Sequence, residues 1–475
     1  VTNAAPRPDP RGTDGLQEQT AAPVAEPHAP AAEPRPKSAL QRRTERALAA
    51  QGPLQTAIRR LHLPRQPLVY LAIFGPGLIA ANAGNDAGGV ITYAQAGAAH
   101  GYDLLWVLVI ITLSLAVIQE MCARMGAVTG KGFADLVREQ FGIRWTVLII
   151  LALLFANGLT ALSEFVGIAS AMELLGVTRY IAVPIAGIAL WLLVTRGSYG
   201  AVERVFLAMT LAFFAYPISA ILAHPHWDDV GRAVILPHIQ RNSQYVIDTI
   251  ALIGTTITPY MQIYVQSAVA DKGVTPRDYP LERLDVYVGT IFGNLMSAFM
   301  IIATGAAYLA SGGHLGSIGS AADAARALQP LAGDAAKPLF AIGLLGASML
   351  AAAVLPLTAA YPVAEAFGFE RGVSFSFREA PVFMGIFTSL IALGVLIALI
   401  PGLPLIKVLI AVQVINGILL PVVMVAALRL TNDAELMGPY RNGPIFNVIA
   451  GITTAVVGTL SIILIVMTIA GLFGA

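Results

Sequence analysis

Read for polarity alone, the chain changes character near Leu68. Downstream, apolar runs recur near 68–99, 104–126, 145–175, 180–195, 202–223, 246–270, 284–311, 336–366, 380–400, 404–429 and 445–474, with short polar segments between them. A helix of roughly 20 apolar residues crosses the hydrocarbon core of a bilayer, whereas barrel strands are about half that length and alternate in polarity. Backbone groups in lipid must bond within their own element, so the pattern predicts an all-α polytopic membrane protein with eleven transmembrane helices.

Residues 1–64 carry no such run and are rich in Ala, Pro, Arg and Glu, which predicts a disordered cytoplasmic N-terminal tail. Its last part, from Ser38 to Leu63, interleaves Arg42, Arg43, Arg46, Arg59 and Arg60 with Leu40, Leu54, Ile58 and Leu61. That stretch reads equally as an interfacial amphipathic helix or a solvated basic segment. The transporter domain is then 65–475, with repeat one at about 68–223, repeat two at about 246–429 and an extra helix at about 445–474.

Composition agrees with the pattern. Of 475 residues, 56% are hydrophobic and 12% charged, where a soluble domain carries about a quarter of its residues as charges. Mean hydropathy is +0.73. A net charge of +1 gives no electrostatic case for nucleic acid, and the single Cys122 excludes an intramolecular disulfide or a cysteine-rich metal centre. Charge placement is more informative. With the tail inside, 23 of the 29 Lys and Arg residues fall on the cytoplasmic side of an eleven-span chain. This predicts a multi-pass protein of the plasma (inner) membrane, with its N-terminus cytoplasmic and its C-terminus extracellular.

Two spans interrupt their own helical pattern. In the first, Ala83-Gly84-Asn85-Asp86-Ala87-Gly88-Gly89 puts a carboxylate among glycines at mid-membrane depth. In the sixth, Gly254-Thr255-Thr256-Ile257-Thr258-Pro259-Tyr260 stacks hydroxyls before a residue that cannot donate a backbone hydrogen bond. The two lie five spans apart, as expected of two inverted five-helix repeats whose first helices unwind around a central site. A carboxylate in mid-membrane costs about 2.5–3.5 kcal/mol, so Asp86 needs a compensating partner. No Lys or Arg lies centrally in any span, which leaves a transported cation for that role. Freed carbonyls together with Asp86, Asn82, Asn85, Thr255 and Thr258 make an all-oxygen set, suited to hard ions such as Mg²⁺.

The run from Gly75-Pro-Gly-Leu-Ile-Ala through Asn85-Asp-Ala-Gly-Gly to His100-Gly-Tyr-Asp-Leu-Leu-Trp106 resembles the first helix and loop of the Nramp divalent-metal transporters. Val117-Ile-Gln-Glu120, Leu162-Ser-Glu-Phe-Val-Gly167 and Ala251-Leu-Ile-Gly-Thr-Thr-Ile-Thr-Pro259 extend the likeness over about 65–475. The resemblance implies a LeuT-like 5+5 inverted repeat with helices one and six unwound and one helix added. It implies metal ligands at Asp86, Ala83, Gly89, Thr255, Thr258 and Gln413. Asn82, Asn85, Tyr260, Met261 and Gln262 are possible lining residues, and Glu164 a possible gate or residual titrating group.

Departures from the family pattern are as informative. Where the family has Asp-Pro-Gly-Asn, this chain has Asp86-Ala-Gly-Gly89, and Met-Pro-His becomes Thr258-Pro259-Tyr260. Two family ligands are thereby lost, one of them a soft thioether. The likeness is then to the Nramp-related magnesium transporters, with a wider, harder site for a partly hydrated Mg²⁺ and with Mn²⁺ as a second cargo. Met261 is expected in packing or facing lipid; if it faces the ion, Mn²⁺ binds more easily. The family's proton-linked groups are largely replaced, with Ala161 for the third-helix Asp, Tyr260 for the His, and no Lys or Arg between Pro381 and Pro401. Uncoupled transport is expected.

Other polar residues weigh less. Gln413 reads equally as ligand or helix–helix contact, Glu120 pairs with Arg124, and Asp248 is placed to attract cations at an entrance. The His224-Pro-His226-Trp-Asp228-Asp229 segment reads as a solvated loop before a metal site. Three alternatives compete with the leading reading: a proton-coupled Mn²⁺/Fe²⁺ importer, a sodium-coupled amino-acid symporter, whose substrate carboxylate Asp86 would repel, and a non-transporting metal sensor with a regulatory tail. No enzyme motif is present, no cofactor is implied beyond the transported ion, and the expected partners are divalent ions and the bilayer, with no obligatory protein partner.

Overall fold

In the computed structural model the described residues are 75–472, apart from 198, 314–317, 319–320 and 402–404. The tail and its amphipathic segment lie outside them. Eight helices are long and apolar enough to cross a membrane, among them Leu105–Thr129, Ile143–Leu174, Arg179–Arg196, Tyr279–Ala310 and Pro381–Ala398. The broken first span, Pro76–Ala83 with Ala87–His100, the broken sixth, Ser243–Thr256 with Pro259–Lys272, and the tenth, Leu405–Asn432, complete eleven. Outward faces are apolar: Leu148, Leu151 and Phe155 of the third span and Ile181, Ile185 and Ile188 of the fourth are more than half exposed. Such stripes suit lipid and would be an aggregation hazard in water.

The packing has the reciprocity of an inverted repeat. The first span lies along the seventh, Tyr279–Ala310, while the sixth lies along the second, Leu105–Thr129. The third spans of the two halves, Ile143–Leu174 and Ala336–Phe367, pack on each other, and each also receives the fifth span of the other half. Gly97 shows how close these approaches are, because a Cβ there would strike Thr304 and the Ile301 carbonyl.

Three short helices were not expected from the sequence: Phe133–Phe141, Trp227–Ile235 and Ala321–Ala332. Each is one-sided. Phe133, Leu136 and Val137 bury one face of the first of them, and polar residues between them hide the period from a search for continuous apolar runs. The second takes up Trp227, Asp228 and Asp229 of the segment read as a loop.

Candidate metal site

The interruptions are shorter than the sequence suggested. In the first span only Gly84–Asp86 leave the helix, and Ala87, Gly88 and Gly89 already form the next one. Asp86 causes the early restart: it is the N-cap, and its Oδ1 accepts the Gly89 amide at 2.6 Å. Glu164 of the third span adds a second cap, accepting the Ala87 amide at 3.0 Å. The helical partner of the Ala83 carbonyl would be that same amide, so Glu164 releases Ala83 for other work. In the sixth span Pro259 takes the first helical position, where its missing N–H costs nothing, and the Thr255 carbonyl loses its helical donor for the same reason.

Asp86 is fully buried, and its Oδ2 accepts the Tyr260 hydroxyl at 2.6 Å. Tyr260 therefore joins the two broken spans directly across the site. The segments flanking the two breaks hold oxygens without hydrogen-bond partners among the described residues: Thr255 Oγ1, Thr258 Oγ1, Gln262 Oε1 and Asn82 Oδ1, all in residues no more than 1% exposed. Gly89 contributes the absence of a side chain, since a Cβ there would meet Thr255 Oγ1 at 3.2 Å and Asp86 Oδ1 at 3.3 Å. A carboxylate, hydroxyls and amide oxygens are the oxygen chemistry that suits a hard cation. Among the described residues no group of three or more His, Cys, Asp or Glu side chains offers a softer or more charged centre.

The expected residues separate under this geometry. Asn85 does not join the set: its Nδ2 donates to the Gly293 carbonyl at 2.9 Å, and its Oδ1 accepts from Tyr93 at 3.1 Å and Ser297 at 3.0 Å. It braces the break against the seventh span. Met261 is 1% exposed, and its Cγ lies 3.6 Å from where a Gly84 Cβ would be, so it packs at the first-span break and does not face lipid. The expected width is also not open space in this state, because every oxygen of the set is enclosed. The side chain of Gln413 lies outside the described residues, while its neighbour Asn416 donates to Thr160 at 2.8 Å and joins two helices.

Polar contacts join the helices on either side of the site. On one, His100 meets Asp248 at 2.7 Å, and Asp103 accepts from Gln240 at 2.8 Å and contacts His238 at the same distance. Asp248 is thus held by His100 and Gln244 in this state. On the other, Asp285 accepts the Gly77 amide at 2.7 Å, Lys272 pairs with Glu203, and Glu120 pairs with Arg124 at 3.1 Å as its spacing suggested. Sequence reasoning missed Asp285, whose signal was a second acid inside an apolar run.

The family model described as "Nramp: Natural resistance-associated macrophage protein-like" matches residues 77–467. The chain belongs to the Nramp family. It is 29% identical over 412 residues to a divalent metal cation transporter, MntH, of Aeromonas hydrophila, covering 84% of this chain and 96% of that one. The match to the Yersinia enterocolitica transporter of the same name is 28% over 413 residues, with 84% and 96% covered. In fold it is similar to the Eremococcus coleocola manganese transporter, with TM-score 0.69, 21% identity, and 87% and 90% of the two chains covered. The Nramp chain is accordingly a multi-pass transporter with the LeuT-like fold, and not an enzyme.

Proposed function

We propose that this Nramp protein carries divalent metal ions across the plasma membrane by alternating access, with Mg²⁺ as the main cargo and Mn²⁺ as a second. The N-terminus is cytoplasmic and the C-terminus extracellular. The observation that carries the reading is the enclosed set around Asp86, in which the partners left for a cation are a carboxylate, hydroxyls and amide oxygens. In this structure the Tyr260 hydroxyl sits on the carboxylate oxygen that a cation would use. Opening of either end withdraws this hydroxyl and admits a partly hydrated ion, which suits the reluctance of Mg²⁺ to shed its water. Mn²⁺ fits as the second cargo because it accepts the same carboxylate, carbonyl and water oxygens.

Transport is uncoupled from protons in this reading. A relay needs a chain of titratable groups, and the one acid beside Asp86, Glu164, is held on the Ala87 amide as a helix cap. Purified protein in liposomes, with Mg²⁺, Mn²⁺ or Ca²⁺ outside and a pH dye inside, tests the proposal. Mg²⁺ uptake that Mn²⁺ inhibits, without internal acidification, is expected. Acidification driven by metal would establish the classical proton-coupled importer instead, and Mn²⁺ uptake indifferent to Mg²⁺ would overturn the hard-ion assignment.

A further inference from the structure

The half-helix Pro259–Lys272 runs from the candidate site toward the end of the molecule that carries Lys131 and Glu365. Its face bears Thr258, Gln262 and Gln266, each four residues from the last, a rise of about 6 Å per step. All three are at most 1% exposed, and each holds a side-chain oxygen with no hydrogen-bond partner among the described residues. The orientation of the two glutamines is dictated by chemistry. Gln262 Nε2 lies 3.3 Å from the Thr258 carbonyl and Gln266 Nε2 lies 3.2 Å from the Lys131 carbonyl. Only the amino group can face a carbonyl, so both Oε1 atoms are turned away from these bonds. A buried acceptor without a donor is costly, and one-turn repetition of that cost along a single helix calls for an explanation.

We propose that Thr258, Gln262 and Gln266 form an oxygen ladder that hands the divalent cation between the Asp86 site and the Lys131 end. The two glutamine carbonyls serve as transient ligands that replace part of its hydration. The inference rests on the metal-transport reading above and adds a path to it. In this structure all three rungs are buried. When the end opens, the oxygens hydrate and become neutral rungs, attractive enough to replace water and weak enough to release an ion that a carboxylate would hold. The last rung is fastened to the Gly130–Phe133 turn, and Glu365 accepts the Ala134 amide at 3.0 Å just beyond that turn. Movement of that turn therefore pulls directly on Gln266.

The test uses the full chain in liposomes for flux and in detergent for calorimetric Mn²⁺ binding. Gln262→Met and Gln266→Met keep the volume and remove the oxygen. For both, saturating Mn²⁺ flux is expected to fall about tenfold, the effect of losing one charge-assisted contact, while Gln266→Met keeps its Kd within about twofold because the binding site is a turn or more away. Gln266→Asn, which retains a carbonyl, recovers part of the flux. Gln266→Glu is expected to bind a second Mn²⁺ and to carry it slowly. Wild-type flux in both Met variants, at unchanged melting temperature, would overturn the ladder and leave the glutamines as helix anchors. Equal loss of binding and flux in Gln266→Met would also overturn it, by placing that residue in the primary site. A wild-type protein that carries no divalent ion would instead refute the metal-transport reading itself.

Discussion

The two helix breaks occupy equivalent places in the repeats and are finished in opposite ways. At the first, protein groups fill most of the polar valences, Asn82 Oδ1 excepted: Asp86 holds Gly89 and Tyr260, Asn85 holds Gly293, Tyr93 and Ser297, and Glu164 holds Ala87. At the second, Thr255 and Thr258 keep hydroxyls that are buried and unpartnered among the described residues. One break fixes a charge in a place where charge is costly, and the other leaves buried hydroxyl oxygens without a partner among the described residues. Inverted symmetry thus gives the architecture, and the division of labour comes from side chains that do not obey the symmetry.

The contrast is open to direct attack. The largest effect is expected from Asp86→Asn, which removes the compensating charge and should lower metal flux by roughly a hundredfold or more, the scale of breaking a buried ion pair. A residual flux within a few-fold of wild type would take the first break out of the mechanism. Next comes Asn85→Leu, which removes three hydrogen bonds while Tyr93 keeps Thr256 and Ser297 keeps the Gly293 carbonyl. It should cost about 1–3 kcal/mol of stability, seen as a lowered melting temperature, the scale of a few net buried hydrogen bonds. The metal Kd of the folded fraction should stay near wild type, and a large shift in Kd at unchanged stability would mean that Asn85 is a ligand after all. Smallest is the reverse pattern at the second break. Thr255→Val and Thr258→Val remove unpartnered hydroxyls, so each should preserve or raise the melting temperature while weakening metal binding about tenfold. Lost stability with intact binding would erase the distinction between the breaks.

Much of this was legible in the sequence, and for reasons that can be named. Eleven spans show because apolar runs of bilayer length have few other uses. Asp86 shows because a carboxylate amid glycines has no local explanation, and Thr255 and Thr258 show because Pro259 marks the break beside them. What stayed hidden depends on how each helix is rotated after it restarts. Asn85 and Asp86 are adjacent, yet one turns to the seventh span and the other to Tyr260. Met261 reads in sequence as a packing or lipid-facing residue, and its rotation decides for packing, against Gly84. Gln266 reads in sequence as an ordinary polar residue near a helix end, and only its bond to Lys131 shows which way its oxygen is turned. The short one-sided helices were missed because their apolar positions are too few to register beside runs of bilayer length.

On the proposed reading, a cation held between these breaks is surrounded by oxygen alone. X-ray absorption at the manganese edge, on purified protein loaded with Mn²⁺ and with Asp86→Asn as the control for specific binding, reads the first shell of that ion. The expected result is a shell of oxygen scatterers only, carboxylate, hydroxyl, amide and water, lost in the control. A sulfur scatterer in that shell, which Met261 would supply, would contradict the account and return the site to the softer chemistry of its relatives' motif.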